Sequence, residues 1–208
     1  MVQVIQAQNV SLADLEARFG LQLMEDDSFL SEWFTNLPEC TDLEKQYLEK
    51  VKAKFLRLIK KQPILENAVK MIILSPLLDL AGFYDDPFEL RTEESIEITL
   101  EDEGEIIRGR IDVLIIQERL WLLIIESKKL SFSLWEAIPQ ALAYMLANPD
   151  SQNPVFGLVT NGEDFRFIKL IQQQQFLYSF SDKFTLSKRE NELYKVLNIL
   201  KKLGQILS

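Results

Sequence analysis

Apolar residues recur at two different periods along this chain. Up to about Gly82 the spacing is three to four residues, the mark of helices with one apolar face. Leu12, Leu15 and Phe19 follow Ser11, and Asp14 completes a weak capping box with that serine. A second helical stretch is predicted over 27–36, broken by Leu37-Pro38. Thr41 and Glu44 form a cleaner capping box. It opens a helix to about Lys60 with apolar positions at Leu43, Tyr47, Val51, Phe55 and Leu58. Pro63 suits the first turn of the next helix, 64 to about 80, which Pro76 is expected to kink.

Past Gly82 the pattern changes. β-Branched and aromatic runs bounded by turn residues predict strands at 95–100, 106–116, 120–127, 155–160 and 165–171. A helix over about 134–147 lies between the third and fourth strands, with a Ser133/Glu136 box and an irregular Pro139. The last helix, about 188–203, opens at a Ser187/Glu190 box. The sum is an α/β (α+β) fold: a mixed central β-sheet flanked by helices over residues 61–208, behind a helical N-terminal arm, residues 1–60.

Composition narrows the chemistry. The 208 residues include no histidine, which removes imidazole bases, histidine triads and histidine metal sites. The single cysteine, Cys40, cannot form an internal disulfide, and it has no basic neighbour to activate it. No stretch reads as a signal peptide, and the apolar runs are too short to span a bilayer, so a cytoplasmic protein with no membrane contact is expected. The net charge is −9, which argues against casual nucleic-acid binding. It is uneven, however: residues 1–50 hold ten acidic and three basic residues, and the rest is close to balance.

Two adjacent strands each carry an acidic residue in an apolar run: Asp112 in RGRIDVLII, and Glu126 with Lys128 in LWLLIIESKK. Residues two apart on a strand share a face, so Glu126 and Lys128 point the same way, and Arg108 and Arg110 share the face of Asp112. If Gln117 pairs with Trp121 across a three-residue loop, Asp112 lies opposite Glu126. A two-residue loop would put them on opposite faces. Two carboxylates held that close need a shared cation or proton. A magnesium ion, or manganese in its place, suits an oxygen-donor set of this kind. Such an ion polarises a phosphodiester, and Lys128 can orient the attacking water or neutralise developing charge. Arg108 and Arg110 are DNA-contact candidates for flanking phosphates. Taken alone, the same residues also fit a plain Lys128–Glu126 or Arg110–Asp112 ion pair. Glu93, Glu94 and Glu97 flank the first strand and read as solvated, with Glu97 a further candidate for the metal shell.

Gln140 and Tyr144 lie four apart on the following helix, hence on one face, and the next strand ends in Thr160-Asn161-Gly162. This ordered set resembles the PD-(D/E)XK nuclease superfamily, and particularly the N-terminal nuclease domain of type I restriction enzyme R subunits. In that resemblance Asp112 matches the motif aspartate and Glu126-Ser127-Lys128 the E-x-K. Gln140 and Tyr144 match the Q-x-x-x-Y helix motif, and Thr160-Asn161-Gly162 the strand end. Glu66, followed by Ser75-Pro76-Leu77-Leu78 and Gly82-Phe83, matches the opening helix glutamate that sits near the metal. Ile111 stands where the motif has a proline. The resemblance covers about residues 63–171 and implies a restriction-endonuclease-like core. It also implies magnesium-dependent hydrolysis of DNA, with Asp112 and Glu126 as metal ligands, Lys128 and Gln140 as catalytic residues, and Glu66 and Tyr144 supporting them. Partners implied are DNA and the helicase or other subunits of a restriction complex. A homodimer would supply two sites for two strands. The alternatives are a catalytically silent nucleic-acid- or protein-binding module, or a nuclease subunit that acts only within a larger complex.

Overall fold

The computed structural model describes the backbone of residues 3–100, 105–117, 120–148 and 153–206. Side chains are described for the same residues except 3, 27, 99, 100, 120, 122–124, 126 and 127. Among these residues the strands are β1 (Gln3–Gln6), β2 (Gln22–Leu23), β3 (Phe88–Leu100), β4 (Glu105–Gln117), β5 (Leu120–Ser127), β6 (Val155–Thr160), β7 (Asp164–Gln172), β8 (Phe176–Phe180) and β9 (Phe184–Thr185). They join in one mixed sheet of order β1-β4-β5-β6-β7-β8-β2, with β3 on β4 and β9 on β7. The helices are α1 (Leu12–Phe19), α2 (Asp42–Ile59), α3 (Glu66–Val69), α4 (Ser75–Leu80), α5 (Leu134–Leu146) and α6 (Leu193–Gln205). The fold is therefore mixed α and β, a sheet covered by helices on both faces. One core lies between the sheet and α2, α3, α4 and α6, and the other between the sheet and α1 with α5. No helix among the described residues is long and apolar enough to cross a membrane.

The first sixty residues are more than a helical arm. β1 runs parallel to β4, and β2 pairs with β8. Leu48, Val51 and Phe55 of α2 enter one core, and Ala7 and Leu15 the other. Both N-terminal capping boxes form, at Ser11/Asp14 and Thr41/Glu44. The buried face of α2 differs from the expected stripe: Leu43 and Tyr47 are exposed, while Leu48, Val51, Lys52 and Phe55 are buried. Lys52 tolerates burial because its ammonium donates to the carbonyls of Lys188, Arg189 and Glu190 at 2.7, 3.3 and 3.0 Å. Residues Asp27–Trp33 form 3₁₀ turns with a non-helical Leu30, not the α-helix expected over 27–36.

That lysine clamp also explains why α6 opens five residues later than its sequence signal. With three carbonyls drawn to Lys52, the 188–190 segment does not join the helix, and Ser187 hydrogen-bonds Thr185 instead of capping. Ser133 does occupy the N-cap of α5, but without a side-chain capping bond. The kink expected at Pro76 takes the form of a π-turn, Lys70–Leu74, ahead of the proline. Proline lacks an N–H and its ring crowds the carbonyl four residues back. The widened turn relieves both problems, and Ser75 N–H bonds to the carbonyl of Lys70.

Candidate active site

β4 anchors the site because its two edges are used unequally. β3 pairs from end to end with a single break. The other edge is shared: β1 takes Glu105–Arg108, and the β5 ladder begins at Val113. Residues 109–112 thus line a gap between two strands. The 93–112 rung is also missing from the β3 ladder, where Glu93 adopts a left-handed φ of 57°. A left-handed, non-glycine residue inside a strand is uncommon and tends to mark functional sites.

The hairpin to β5 closes differently from the expected pairing, yet reaches the same parity. Gln117 pairs with Leu120 and Ile116 with Trp121, the tighter closure that would separate the carboxylates. The register then shifts, so that Ile115 pairs with Leu123 and Val113 with Ile125. The extra residue of this bulge restores the frame. The last paired rung is Val113–Ile125, next to Asp112 and Glu126, and the Glu126 backbone pairs with Val159 of β6. The Glu126 carboxylate itself lies outside the described side chains.

Alternation does not carry the arginines onto the face of Asp112 as simply as expected. Ile107 and Ile111 enter one core but Val113 and Ile115 the other, so the alternation is interrupted between 111 and 113, beside Glu93. Arg108 and Arg110 nevertheless line the same cavity as Asp112. Arg110 Nε pairs with Glu93 at 3.0 Å and Arg108 Nε with Glu97 at 2.8 Å. The cavity holds about 710 Å³ and is also bordered by Glu66, Lys128, Gln140 and Tyr144.

Lys128, Gln140 and Tyr144 form a hydrogen-bonded chain. The Lys128 ammonium donates to Gln140 Oε1 at 2.9 Å, and Gln140 Nε2 donates to Tyr144 Oη at 2.5 Å. Four-residue spacing on α5 aligns the last two. Tyr144 is fully buried and packs on Gly109, where an added Cβ would lie 2.4 Å from Tyr144 Cε1. Lys128 N–H bonds to the carbonyl of Thr160, tying the ends of β5 and β6 together. Asn161 then fixes the loop after Lys128 by donating to the carbonyls of Leu130 and Phe132. Its own oxygen accepts the N–H groups of Glu163 and Asp164. The Thr-Asn-Gly strand end is a turn that holds the lysine loop in place.

Lys70 has no part in the motif set, yet it lies at the centre of the carboxylates. Its Nζ is 2.7 Å from Asp112 Oδ1, 3.1 Å from Glu66 Oε1 and 3.4 Å from Glu93 Oε1. Only 19% of the Lys70 side chain and 11% of Asp112 are exposed. Burial pulls the Lys70 pKa down, but the hydrogen bond and charge of Asp112, then those of Glu66, outweigh it and raise the value well above ordinary lysine. Glu93, expected to be solvated, thus bridges Lys70 and Arg110. The i,i+4 spacing of Glu66 and Lys70 is the one sequence signal that could have found this lysine.

The donor chemistry fits a hard divalent cation. A positive group already sits between Asp112 and Glu66, and the oxygens around it are carboxylate oxygens. Among the described residues no three such groups form a metal cage by themselves. Magnesium does not require one, since it commonly binds through one or two carboxylates and keeps its waters.

No curated protein matches the chain. A fragment structure described as an HsdR subunit of a type I restriction enzyme from Vibrio vulnificus is similar at 14% identity, with a TM-score of 0.42. The match covers 66% of this chain but only 26% of that one. The family model for the type I restriction enzyme R protein N terminus matches residues 40–176, more than half of the sequence. The chain belongs to the family of type I restriction enzyme R protein N termini.

Proposed function

We propose that this chain hydrolyses DNA phosphodiester bonds with the help of a divalent cation. One observation carries the reading: Asp112 and the Lys128–Gln140–Tyr144 chain border one open cavity, on a gap in the sheet large enough for a backbone phosphate. Asp112 and Glu126 would hold magnesium or manganese, with Glu66 close by. Bound there, the metal supplies positive charge against the phosphoryl oxygens and acidifies a water. Lys128 orients the attacking water and offsets charge that develops on the phosphate. Gln140 keeps the ammonium aimed into the cavity, and Tyr144 buttresses Gln140 from the core side. Arg108 and Arg110 contact flanking phosphates. The full restriction complex, with helicase and other subunits, is the setting that family membership suggests for this activity.

The test is cleavage of plasmid and linear DNA in magnesium and in manganese. Wild type is compared with Asp112→Ala, Glu126→Ala and Lys128→Ala. Loss of cutting by at least about a hundredfold is expected in each variant. Cutting by Asp112→Ala at the wild-type rate would end the assignment. A second reading, a non-catalytic binding module, draws on the ion pair that neutralises Asp112. Salt-sensitive DNA binding with no metal-dependent cutting would identify it.

A further inference from the structure

Lys70 raises a question that the catalytic reading leaves open. Its ammonium contacts the oxygens of Asp112, Glu66 and Glu93, and the reading above makes Asp112 a ligand of the cation and puts Glu66 beside it. An ammonium and a divalent cation repel each other at such range, so each weakens the other's hold on Asp112.

We propose that Lys70 is the built-in counter-ion of the carboxylate centre, and that a divalent cation binds only by displacing it from Asp112 and Glu66. This rests on the reading of Asp112 as a metal ligand.

Three features of the fold support the exchange. First, the Lys70–Asp112 pair is well shielded from solvent, while Glu66 and Glu93 at its rim are 41% and 50% exposed, so without another cation Asp112 would hold its charge in a poorly screened space. Second, Lys70 opens the π-turn ahead of Pro76, and such turns are short departures from regular helix that often occur at functional sites. Third, the ammonium has somewhere to go. Lys70 lines a second, open groove of about 410 Å³, mostly apolar but carrying the polar groups of Asn67, Ser75, Tyr84 and Thr92, which borders the first cavity at Glu93 and Asp112. Rotation about the lysine side chain would carry the charge from the carboxylates into this groove without moving the helix. Metal affinity is then set by a competition, and the lysine lowers it.

The experiment is calorimetric titration of manganese into metal-free wild type, Lys70→Gln, Lys70→Ala and Lys70→Arg. Each protein is checked for a cooperative thermal transition in chelator. Removing the competitor should tighten manganese binding by roughly tenfold in Lys70→Gln and Lys70→Ala. Lys70→Arg, which keeps the charge, should bind no tighter than wild type. Without metal the two neutral variants should melt below wild type, and manganese should raise their Tm by more than it raises the wild-type Tm. Binding by folded Lys70→Gln and Lys70→Ala that equals or falls below wild type would overturn the proposal while leaving the metal site intact. Failure of every protein to bind manganese would instead overturn the reading of Asp112 as a metal ligand, and the displacement with it.

Discussion

Single residues decide how firmly the site is held. Gly109 lies in β4 where Tyr144 packs, and a methyl group there would also come within 2.9 Å of Ala7 Cβ. Neither neighbour can retreat, since both are buried. Gly109→Ala should therefore destabilise the fold by about 1–3 kcal/mol in urea unfolding. A neutral result would mean that Tyr144 is not locked as described. Glu192 makes a different kind of prediction. Burial raises its pKa, but hydrogen bonds from Lys188, the Thr185 N–H and Lys195, with the charge of Lys188, outweigh burial and hold it below the ordinary 4.5. A carboxylate depressed on folding stabilises the native state fully above its unfolded value and loses that contribution as pH falls through the folded one. The stability difference between wild type and Glu192→Gln should accordingly be largest near neutral pH and shrink below pH 4.5. A difference that stays constant through acid unfolding would remove Glu192 from the account. Sequence pointed to the motif residues because their types and order are distinctive. It was silent on Gly109 and on the link from Lys70 to Asp112, whose partners lie far along the chain, and on Glu192, whose near neighbours Thr185, Lys188 and Lys195 are gathered by an irregular turn.

Elements carry the next layer. The turn at Thr160–Gly162 fastens the loop of Lys128, and Gly162 sits inside it with a φ of 89°. A Cβ there would meet Phe55 of α2 at 2.9 Å and Val69 of α3 at 3.0 Å. Gly162→Ala combines a left-handed backbone strain with overpacking, together roughly 2–4 kcal/mol. Because the disturbed turn also bonds to Lys128, cleavage should fall further than the lost stability accounts for at a temperature where the variant is folded. Equal cleavage by folded variant and wild type would separate the turn from the site. The same scale shows what periodicity can reveal. Long runs such as 106–116 and 155–160 were legible because their apolar patterns persist. β1, β2, β8 and β9 were not, since strands of two to five residues carry too few positions for a period to emerge. The bulge at Ile115 was invisible for a related reason: it inserts one residue into a run that is apolar on both sides, so nothing in the pattern marks the shift.

At the scale of the whole molecule, the question is where the folding unit begins. A boundary at residue 60 follows from the change of period, but the structure ties the two sides together. Leu48, Val51 and Phe55 of α2 pack against Val69, Phe165 and their neighbours in one continuous core. Burying three such side chains contributes about 2 kcal/mol each, or roughly 6 kcal/mol, against a total stability of about 5–15 kcal/mol for a typical domain. Removing α2 would therefore take away a large share of the whole. The family match starts at residue 40, one residue before the N-cap of α2, and so keeps this helix. Two truncated chains put the argument to the test by urea unfolding followed with circular dichroism. Residues 40–208 should retain a cooperative transition at reduced denaturant, having lost β1 and α1 but not α2. Residues 61–208 should lack a cooperative transition and expose apolar surface. If the shorter chain unfolded cooperatively with a native spectrum, α2 would be an accessory to the fold and not part of its core.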